Sequence, residues 1–376
     1  MLPGYATLDG TARYRDRFPN LRDAAHFRRA DAVPGAGELW VSSLGLGTYL
    51  GEPDAATDRR YTESAEHALG SGINLLDTAI NYRHQRSERN LGAALARLVA
   101  EERLQRDEVV VCTKAGYLPF DAEMPADPRA YFVREYLDRG VFRVSDIAGG
   151  MHCMAPTYLA DQLERSRRNL GLATLDVFYL HNPETQLSAV DRSTFRQRLK
   201  DAFTMLEDAV RAGSIRYYGC ATWNAFRLPP AEHGSMSLAE TVAIAREVAG
   251  DAHHFRFVQM PFNLAMIEAW AFRNQRDGER SLSLLELAQQ LGVAVVGSAS
   301  LHQGQLTAGL PASLVQSLGA TEDTHAALQF ARSAPGLLTA LIGMSAPEHV
   351  AANLQVAIHP PLSAETWKSL FREEAE

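Results

Sequence analysis

The sequence of 376 residues predicts an α/β fold of the (β/α)8 barrel type. Short β-rich runs alternate eight times along the chain with longer segments in which apolar residues recur about every 3.6 positions. Several of the short runs are almost continuously apolar, as expected for parallel strands that are buried on both faces. Eight β–α units in series are typical of a closed barrel.

The strand candidates are recognised by their density of Val, Ile, Leu, Phe and Tyr, and they are residues 43–48, 72–77, 108–114, 175–181, 215–221, 255–261, 293–298 and 338–343. The helix candidates have amphipathic spacing, and they are residues 62–69, 87–102, 156–170, 196–212, 237–248, 281–291, 322–334 and 347–356. Gly72, Gly171, Gly213 and Gly292 stand between a helix candidate and the next strand, where glycine commonly ends a helix. Pro347 suits the first turn of the last helix.

A doubly wound open sheet is the alternative for a chain of alternating strands and helices. That fold would bring a glycine-rich dinucleotide-binding turn, Gly-x-Gly-x-x-Gly, after its first strand. The sequence contains no such turn, and this favours the barrel.

We expect a single domain over residues 1–376, with residues 1–42 as an N-terminal extension. The extension either closes the N-terminal end of the barrel or is partly loose. Residues 117–156 form a long connection between the third strand and its helix, and connections of that length are usually functional or disordered. Their aromatic content argues against disorder. In a barrel, a connection that follows a strand lies at the C-terminal face, so we expect them over the site. Residues 182–195 and 263–280 are further long stretches on the same face.

The composition excludes several classes of function. The formal net charge of −8 and the pI near 5.9 argue against a nucleic-acid-binding surface. No apolar run approaches the roughly 20 residues of a membrane span. No secretory signal is visible at the N-terminus, so a cytoplasmic location is expected. The three cysteines are far apart, which fits a reducing compartment and gives no metal-ligand spacing.

Four polar residues stand at or just beyond the ends of three successive strand candidates. Asp77, Lys114 and His181 end the second, third and fourth candidates, and Tyr82 follows Asp77 on the next loop. The carboxyl ends of barrel strands meet at one mouth, where catalytic groups collect. A tyrosine has a free pKa of about 10, so proton transfer near neutral pH needs an adjacent ammonium, which a carboxylate can orient. Each residue alone has an ordinary structural explanation, but together they indicate a proton-transfer site.

Further motifs extend this pattern over residues 44–354. They are Gly47-Thr48, Asp77-Thr78-Ala79 with Tyr82, Ser87-Glu88 with Leu91-Gly92, Lys114, Leu170-Gly171 with Asp176, Leu180-His181, residues 213–219, Gln259 with Asn263, Gly304 with Leu306, and residues 343–353. In these motifs the chain resembles the aldo-keto reductases. The Asp, Tyr, Lys and His set in register is the specific part of the resemblance.

The resemblance implies an NAD(P)-dependent oxidoreductase that interconverts a carbonyl and an alcohol by hydride transfer. Tyr82 would be the general acid in reduction and the base in oxidation. Lys114, paired with Asp77, would lower the pKa of Tyr82, and His181 would orient the carbonyl oxygen. The cofactor would lie across the barrel mouth, and no metal is required.

The same resemblance implies positions for the cofactor and the substrate. The cofactor positions are Gly47, Thr48, Tyr49, Asp77, Gln259, Ser298, Leu301, Gly304, Gly343, Met344, Ser345, His349 and Asn353. The substrate positions are Tyr49, Tyr82, His152, His181, Asn182 and Trp223, and they would suit an aldehyde, a ketone or a sugar.

Departures from the family pattern leave the choice between NADP and NAD open. Ala221 and Thr222 stand where many relatives have a Ser-Asn or Ser-Arg pair, and Ser298 stands where many have an aromatic ring. Residues 343–360 contain no Lys or Arg to meet the 2′-phosphate of NADP.

The sequence is also compatible with two other functions. Such a barrel could be a nicotinamide-binding regulatory subunit, or an enzyme that uses bound nicotinamide transiently, as an epimerase does. The expected partner is a small carbonyl or sugar molecule, with no nucleic acid and no membrane, and the sequence does not predict the oligomeric state.

Overall fold

A computed structural model describes residues 1–30 and 39–371, and eight parallel strands form its closed barrel. Each strand pairs with the next in chain order, and the last pairs with the first. The strands are β1 Leu44–Gly47, β2 Leu75–Asp77, β3 Val110–Ala115, β4 Leu175–His181, β5 Ile215–Ala221, β6 Phe255–Pro261, β7 Ala294–Ser298 and β8 Leu337–Gly343. The predicted fold class is confirmed. Residues 31–38 of the predicted extension and residues 372–376 lie outside the described residues.

One long helix follows each strand in sequence before the next strand begins. These helices are α1 Ala55–Gly70, α2 Arg86–Ala100, α3 Pro156–Leu170, α4 Arg192–Arg211, α5 Leu238–Ala249, α6 Leu284–Leu291, α7 Asp323–Ser333 and α8 Pro347–Leu354. Smaller elements are the helices Glu268–Ala271, Ala312–Ser317 and Ala364–Ser369, the hairpin Gln275–Asp277 with Arg280–Leu282, and the 3₁₀ turns Arg106–Glu108, Val144–Asp146, Pro183–Ser188, Gly250–Ala252, His302–Gly304 and Gln355–Ile358. Within residues 1–30 and 39–371, the helices are too short or too polar to cross a bilayer.

The strands bury both of their faces, in two separate apolar clusters. Alternate residues such as Val177 and Tyr179 of β4 belong to the cluster inside the barrel. Their neighbours Phe178 and Leu180 belong to the larger cluster between the strands and the helices. Successive strand residues point to opposite faces, so burial on both sides explains why these runs are continuously apolar.

The N-terminal extension packs against the N-terminal ends of the strands. It contains the helices Leu8–Asp16 and Pro19–Asp23 and an antiparallel hairpin of Phe27–Arg29 with Trp40–Ser42. The Ala6 amide donates to Asp176 Oδ1 over 2.7 Å, and Arg106 Nη2 donates to Asp176 Oδ2 over 2.7 Å. The Ala6 contact joins the extension to the start of β4, and the Arg106 contact joins the turn before β3 to the same carboxylate.

Residues 117–156 are ordered by an aromatic cluster and by two small elements. A helix over Pro128–Phe132 continues as a π-turn over Val133–Leu137, and Ile147–Ala148 pairs with His152–Cys153 in a short hairpin. The Tyr136 ring stacks on Phe142 with centroids 5.4 Å apart. The segment therefore has its own packed interior.

Candidate active site

A cavity of about 870 Å³ lies at the carboxyl ends of the barrel strands. This position is where barrel enzymes collect their functional groups, and the volume lies within the range of small-molecule sites. Most of the predicted site residues line it. They are Gly47, Thr48, Tyr49, Asp77, Tyr82, His181, Asn182, Trp223, Gln259, Ser298, Leu301, Gly304, Gly343, His349 and Asn353.

A buried ion pair lies at the cavity floor, where Asp77 lines the cavity and its partner Lys114 is buried and not among the lining residues. Lys114 Nζ donates to Asp77 Oδ2 over 2.5 Å and to the Thr78 carbonyl over 2.8 Å. Gln259 Nε2 donates to the other Asp77 oxygen over 2.7 Å. Burial is the largest single influence on the pKa of Lys114 and would lower it, but Asp77 and Tyr82 together outweigh burial and raise it. Lys114 therefore stays an ammonium, fixed by β2 and β3.

Tyr82 lies over this ammonium. Lys114 Nζ is 4.9 Å from the centroid of the Tyr82 ring. The ring contacts His181 edge-on with centroids 5.7 Å apart, and it contacts Tyr49 with centroids 5.1 Å apart. Burial raises the pKa of Tyr82, and the Lys114 charge opposes this without overcoming it. Lys114 thus acts on the pKa of Tyr82 in the expected downward direction, but burial has the larger effect and the net change is upward.

His181 is a neutral imidazole in this setting. Burial, and then the Lys114 charge, hold the pKa of His181 well below its usual value. Its Nδ1 is buried and has no hydrogen-bond partner. One nitrogen of a neutral imidazole donates and the other accepts, so His181 can offer either role to a bound oxygen.

One side of the cavity carries aromatic and neutral polar groups. Asn182 Nδ2 donates to the Tyr117 hydroxyl over 3.0 Å. Asn182 itself adopts the left-handed conformation, with φ 47°, where β4 ends. Tyr49 and Trp223 expose 57% and 39% of their surface at the mouth, so flat faces are available to a ligand.

His152 does not line the cavity, contrary to the sequence expectation. It is fully buried, and its Nε2 lies 2.7 Å from the His181 carbonyl oxygen. The hairpin that carries it passes behind the end of β4, so its ring faces the main chain and not a substrate.

Met344 and Ser345 also lie outside the cavity wall. Met344 is fully buried, and its carbonyl accepts from Ser64 Oγ over 2.6 Å. The turn from β8 to α8 thus packs against α1, and the remaining predicted residues at this end, Gly343, His349 and Asn353, face the cavity.

Sequence reasoning predicted that residues 117–156 lie over the site, but it did not single out the individual lining residues Tyr117, Met151, Glu322 and His325. Tyr117 follows Lys114 by three positions, so its place beyond the end of β3 could have been recognised. Met151 comes from the hairpin in residues 117–156, and Glu322 and His325 come from the start of α7. The path of these connections is set by tertiary packing, and the sequence carried no local signal for it.

Unpartnered polar atoms in the wall fit an extended polar cofactor. Thr222 Oγ1, Ser300 Oγ and Asn81 Oδ1 are buried without a hydrogen-bond partner, and all three residues line the cavity. Buried polar groups are normally satisfied, so orphans gathered in one cavity suggest a missing partner. Among the described residues, no cluster of His, Cys, Asp or Glu is arranged to hold a metal ion.

Comparison with known proteins gives a family match over most of the chain. The sequence model of the aldo/keto reductase family matches residues 43–372. A curated D-threo-aldose 1-dehydrogenase from a Pseudomonas species is 31% identical over 157 residues. That stretch covers 41% of this chain and 41% of the relative.

Solved structures share the fold at low sequence identity. An aldo/keto reductase from Klebsiella pneumoniae, in complex with NADP and acetate, has a TM-score of 0.58 and 21% identity, with 90% of this chain and 93% of that chain covered. An aldo-keto reductase from Bacillus halodurans in its holo form has a TM-score of 0.59 and 19% identity, with 93% and 98% covered.

Proposed function

Because the chain belongs to the aldo-keto reductase family, we propose that it is an NAD(P)-dependent oxidoreductase that interconverts a carbonyl and an alcohol. The observation that carries the proposal is the convergence of Tyr82, Lys114, Asp77 and His181 at one end of the cavity. A phenol above a buried ammonium, beside a neutral imidazole, suits proton exchange with a carbonyl oxygen.

The residues handle the proton, while a bound nicotinamide would supply or accept the hydride. In reduction, Tyr82 donates its proton to the developing alkoxide. The Lys114 ammonium stabilises the phenolate that is left, and Asp77 keeps the ammonium in place. His181 binds and orients the carbonyl oxygen. General acid–base assistance of this kind contributes roughly 10²–10⁴-fold in rate.

The cofactor would be held along the cavity wall. Gln259, tied to Asp77, and the unpartnered hydroxyl of Thr222 would serve the nicotinamide end. His349 and Asn353 on α8 would serve the adenosine end.

The part of the cavity proposed to hold the adenosine favours little selectivity for the 2′-phosphate that distinguishes NADP from NAD. Among the described residues that line the cavity, none is Lys or Arg, and Glu322 stands at this end. Phosphate is best met by a cation. We therefore expect a preference for NADPH over NADH below about tenfold, or about 1.4 kcal/mol.

The substrate is proposed to be a small uncharged carbonyl compound, with a sugar favoured. Tyr49 and Trp223 offer flat faces, and Asn81 and Asn182 offer neutral hydrogen-bonding groups. The curated relative named as a D-threo-aldose 1-dehydrogenase supports an aldose.

A panel of aldehydes, ketones and aldoses, followed at 340 nm with NADH and NADPH in both directions, tests the proposal. We expect stoichiometric change of the cofactor, and at least roughly a 10²-fold loss of kcat in Tyr82→Phe with cofactor binding retained. Full turnover by that variant would refute the assigned acid. Cofactor binding without net redox change would instead favour a regulatory or epimerase-like role.

Separate titrations of NADH and NADPH, followed by tryptophan fluorescence, test the adenosine end. Glu322→Lys should raise the affinity for NADPH and leave that for NADH nearly unchanged. Glu365→Lys makes the same charge change at an exposed position outside the cavity wall and is the matched control. A thousandfold preference for NADPH in the unaltered protein would contradict the expectation.

A further inference from the structure

His152 joins residues 117–156 to the end of β4 through a fixed chain of hydrogen bonds. Its Nε2 lies 2.7 Å from the His181 carbonyl oxygen, and its Nδ1 lies 2.8 Å from Gln186 Nε2. Gln186 Nε2 also lies 3.1 Å from the His152 carbonyl oxygen, and Gln186 Oε1 accepts from Arg198 on α4. His152 and Gln186 are both fully buried.

The partners fix the tautomer of His152. The His181 carbonyl oxygen can only accept, so the hydrogen must be on Nε2. Arg198 can only donate, so Gln186 presents its oxygen to Arg198 and its NH₂ group to His152 Nδ1. Burial lowers the pKa of His152 to about 4, and the ring therefore stays neutral at ordinary pH.

The residues packed around the His152 ring restrict it to one position. A Cβ atom on Gly116 would lie 2.6 Å from the His181 carbonyl oxygen and 2.7 Å from His152 Nε2, so only glycine leaves room for this bond. The Cys153 amide donates to the Gly116 carbonyl over 2.8 Å. The Tyr117 ring meets both the His152 and His181 rings edge-on, each with centroids 5.1 Å apart.

We propose that His152 is a positioning residue for His181. Held as the Nε2–H tautomer, it ties the hairpin of residues 117–156 to the His181 main chain and fixes the direction in which the His181 ring enters the cavity. The inference rests on the proposed function in one respect, namely that His181 binds the carbonyl oxygen.

Kinetics of three variants test this role. His152→Leu removes the donor and should lower kcat by roughly tenfold or more, since small misplacements of reacting groups are costly. Its dissociation constant for the cofactor should stay near that of the unaltered protein. His152→Gln restores an N–H donor at similar reach and should recover most of the loss. His233→Leu removes another histidine contact to a main-chain carbonyl, that of Leu187, and should leave kcat unchanged.

An unchanged kcat in His152→Leu would overturn the proposal. So would a His152→Gln variant that is folded by near-ultraviolet circular dichroism but no more active than the leucine variant.

A second measurement does not depend on turnover. In ¹⁵N-labelled protein, the His152 ring should show an unprotonated Nδ1 and no titration between about pH 5 and pH 8. The His181 ring signals should shift in His152→Leu and not in His233→Leu. A protonated Nδ1, or His181 signals that do not shift, would overturn the positioning role of His152. A failure to turn over any carbonyl compound would count against the proposed function alone, and this measurement would still test the positioning role.

Discussion

At the scale of single residues, one contact between Lys114 and Asp77 has both a proposed role in the chemistry and an expected role in stability. Their 2.5 Å ion pair is almost completely buried. We expect Lys114→Met to lower kcat by roughly 10²-fold or more, because the phenolate of Tyr82 loses its ammonium. We also expect a loss of about 3–5 kcal/mol in the free energy of unfolding, because the Asp77 carboxylate is left unpaired. Steady-state kinetics and urea unfolding measure the two effects.

A double variant separates these effects. Adding Asp77→Asn to Lys114→Met removes the unpaired charge, and it should restore much of the stability and none of the activity. If activity returned together with stability, the ammonium would have no role in proton transfer.

The pH dependence of reduction follows from the direction of the Tyr82 pKa. In the proposed mechanism, reduction needs the protonated phenol of Tyr82. Burial raises the pKa of Tyr82, so the protonated form persists to higher pH than in free tyrosine. The kcat for reduction should be flat through neutral pH and fall only above about pH 10. Oxidation should show the opposite trend. A fall of reductive kcat between about pH 6 and pH 8 would indicate a histidine in place of Tyr82.

The sequence could predict that three site residues lie close together at one rim of the barrel, namely Asp77, Lys114 and His181. Each stands at the end of a predicted strand, and each of those strands is recognisable from its continuous apolar run. The place of His152 could not be predicted. Its exposure depends on the path of residues 117–156, and no spacing in the sequence specifies that path.

At the scale of elements, the strands and helices differ in how well the sequence defines their limits. The predicted limits of β4, β5 and β6 agree with the structure, because burial on both faces makes the whole strand apolar. The helices α1 and α4 begin earlier than predicted, at Ala55 and Arg192. Their first turns, which begin Ala55-Ala56-Thr57 and Arg192-Ser193-Thr194, carry too few large apolar residues to show a helical period. They are instead started by Asp54 and Asp191, whose side chains accept from the Thr57 and Thr194 amides over 2.7 Å.

The junction between β3 and the following segment depends on the lack of a side chain at Gly116. In Gly116→Ala, the new methyl group would press on the His181 carbonyl and the His152 ring. We expect a loss of about 1–3 kcal/mol in the free energy of unfolding, and a lower kcat in the folded variant. Thermal unfolding and kinetics check both.

Gly234→Ala provides the control for this substitution. A methyl group there would meet only the Leu228 side chain at 3.5 Å, which is ordinary contact. Equal effects of the two substitutions would mean that the crowding at Gly116 is relieved by small movements.

At the scale of the whole molecule, the two ends of the barrel differ in the groups that they carry. The cavity lies at the carboxyl ends of the strands, while the extension and the Arg106–Asp176 pair lie at the opposite end. Arg106→Leu leaves the buried Asp176 carboxylate unpaired, so we expect a loss of about 3–5 kcal/mol in the free energy of unfolding. The kcat measured well below the unfolding temperature should be unchanged, because the substitution lies at the opposite end of the barrel from the cavity and leaves the site intact.

An exposed ion pair is the comparison for this prediction. Arg97 pairs with Glu66 and Glu101 at the surface, and Arg97→Leu should leave the midpoint of urea unfolding nearly unchanged. A drop in kcat for Arg106→Leu under folding conditions would show that the two ends are not independent.

The hairpin behind His181 has a consequence for engineering by loop exchange. Residues 117–156 are a single continuous segment over the cavity, which makes them an obvious target for exchange when a new substrate range is wanted. Because His152 is hydrogen-bonded to the His181 main chain, exchanging the whole segment would disturb the proposed catalytic residues as well as the choice of substrate. Randomisation is better confined to side chains that face outward at the rim, such as Met151, where over half of the surface is exposed.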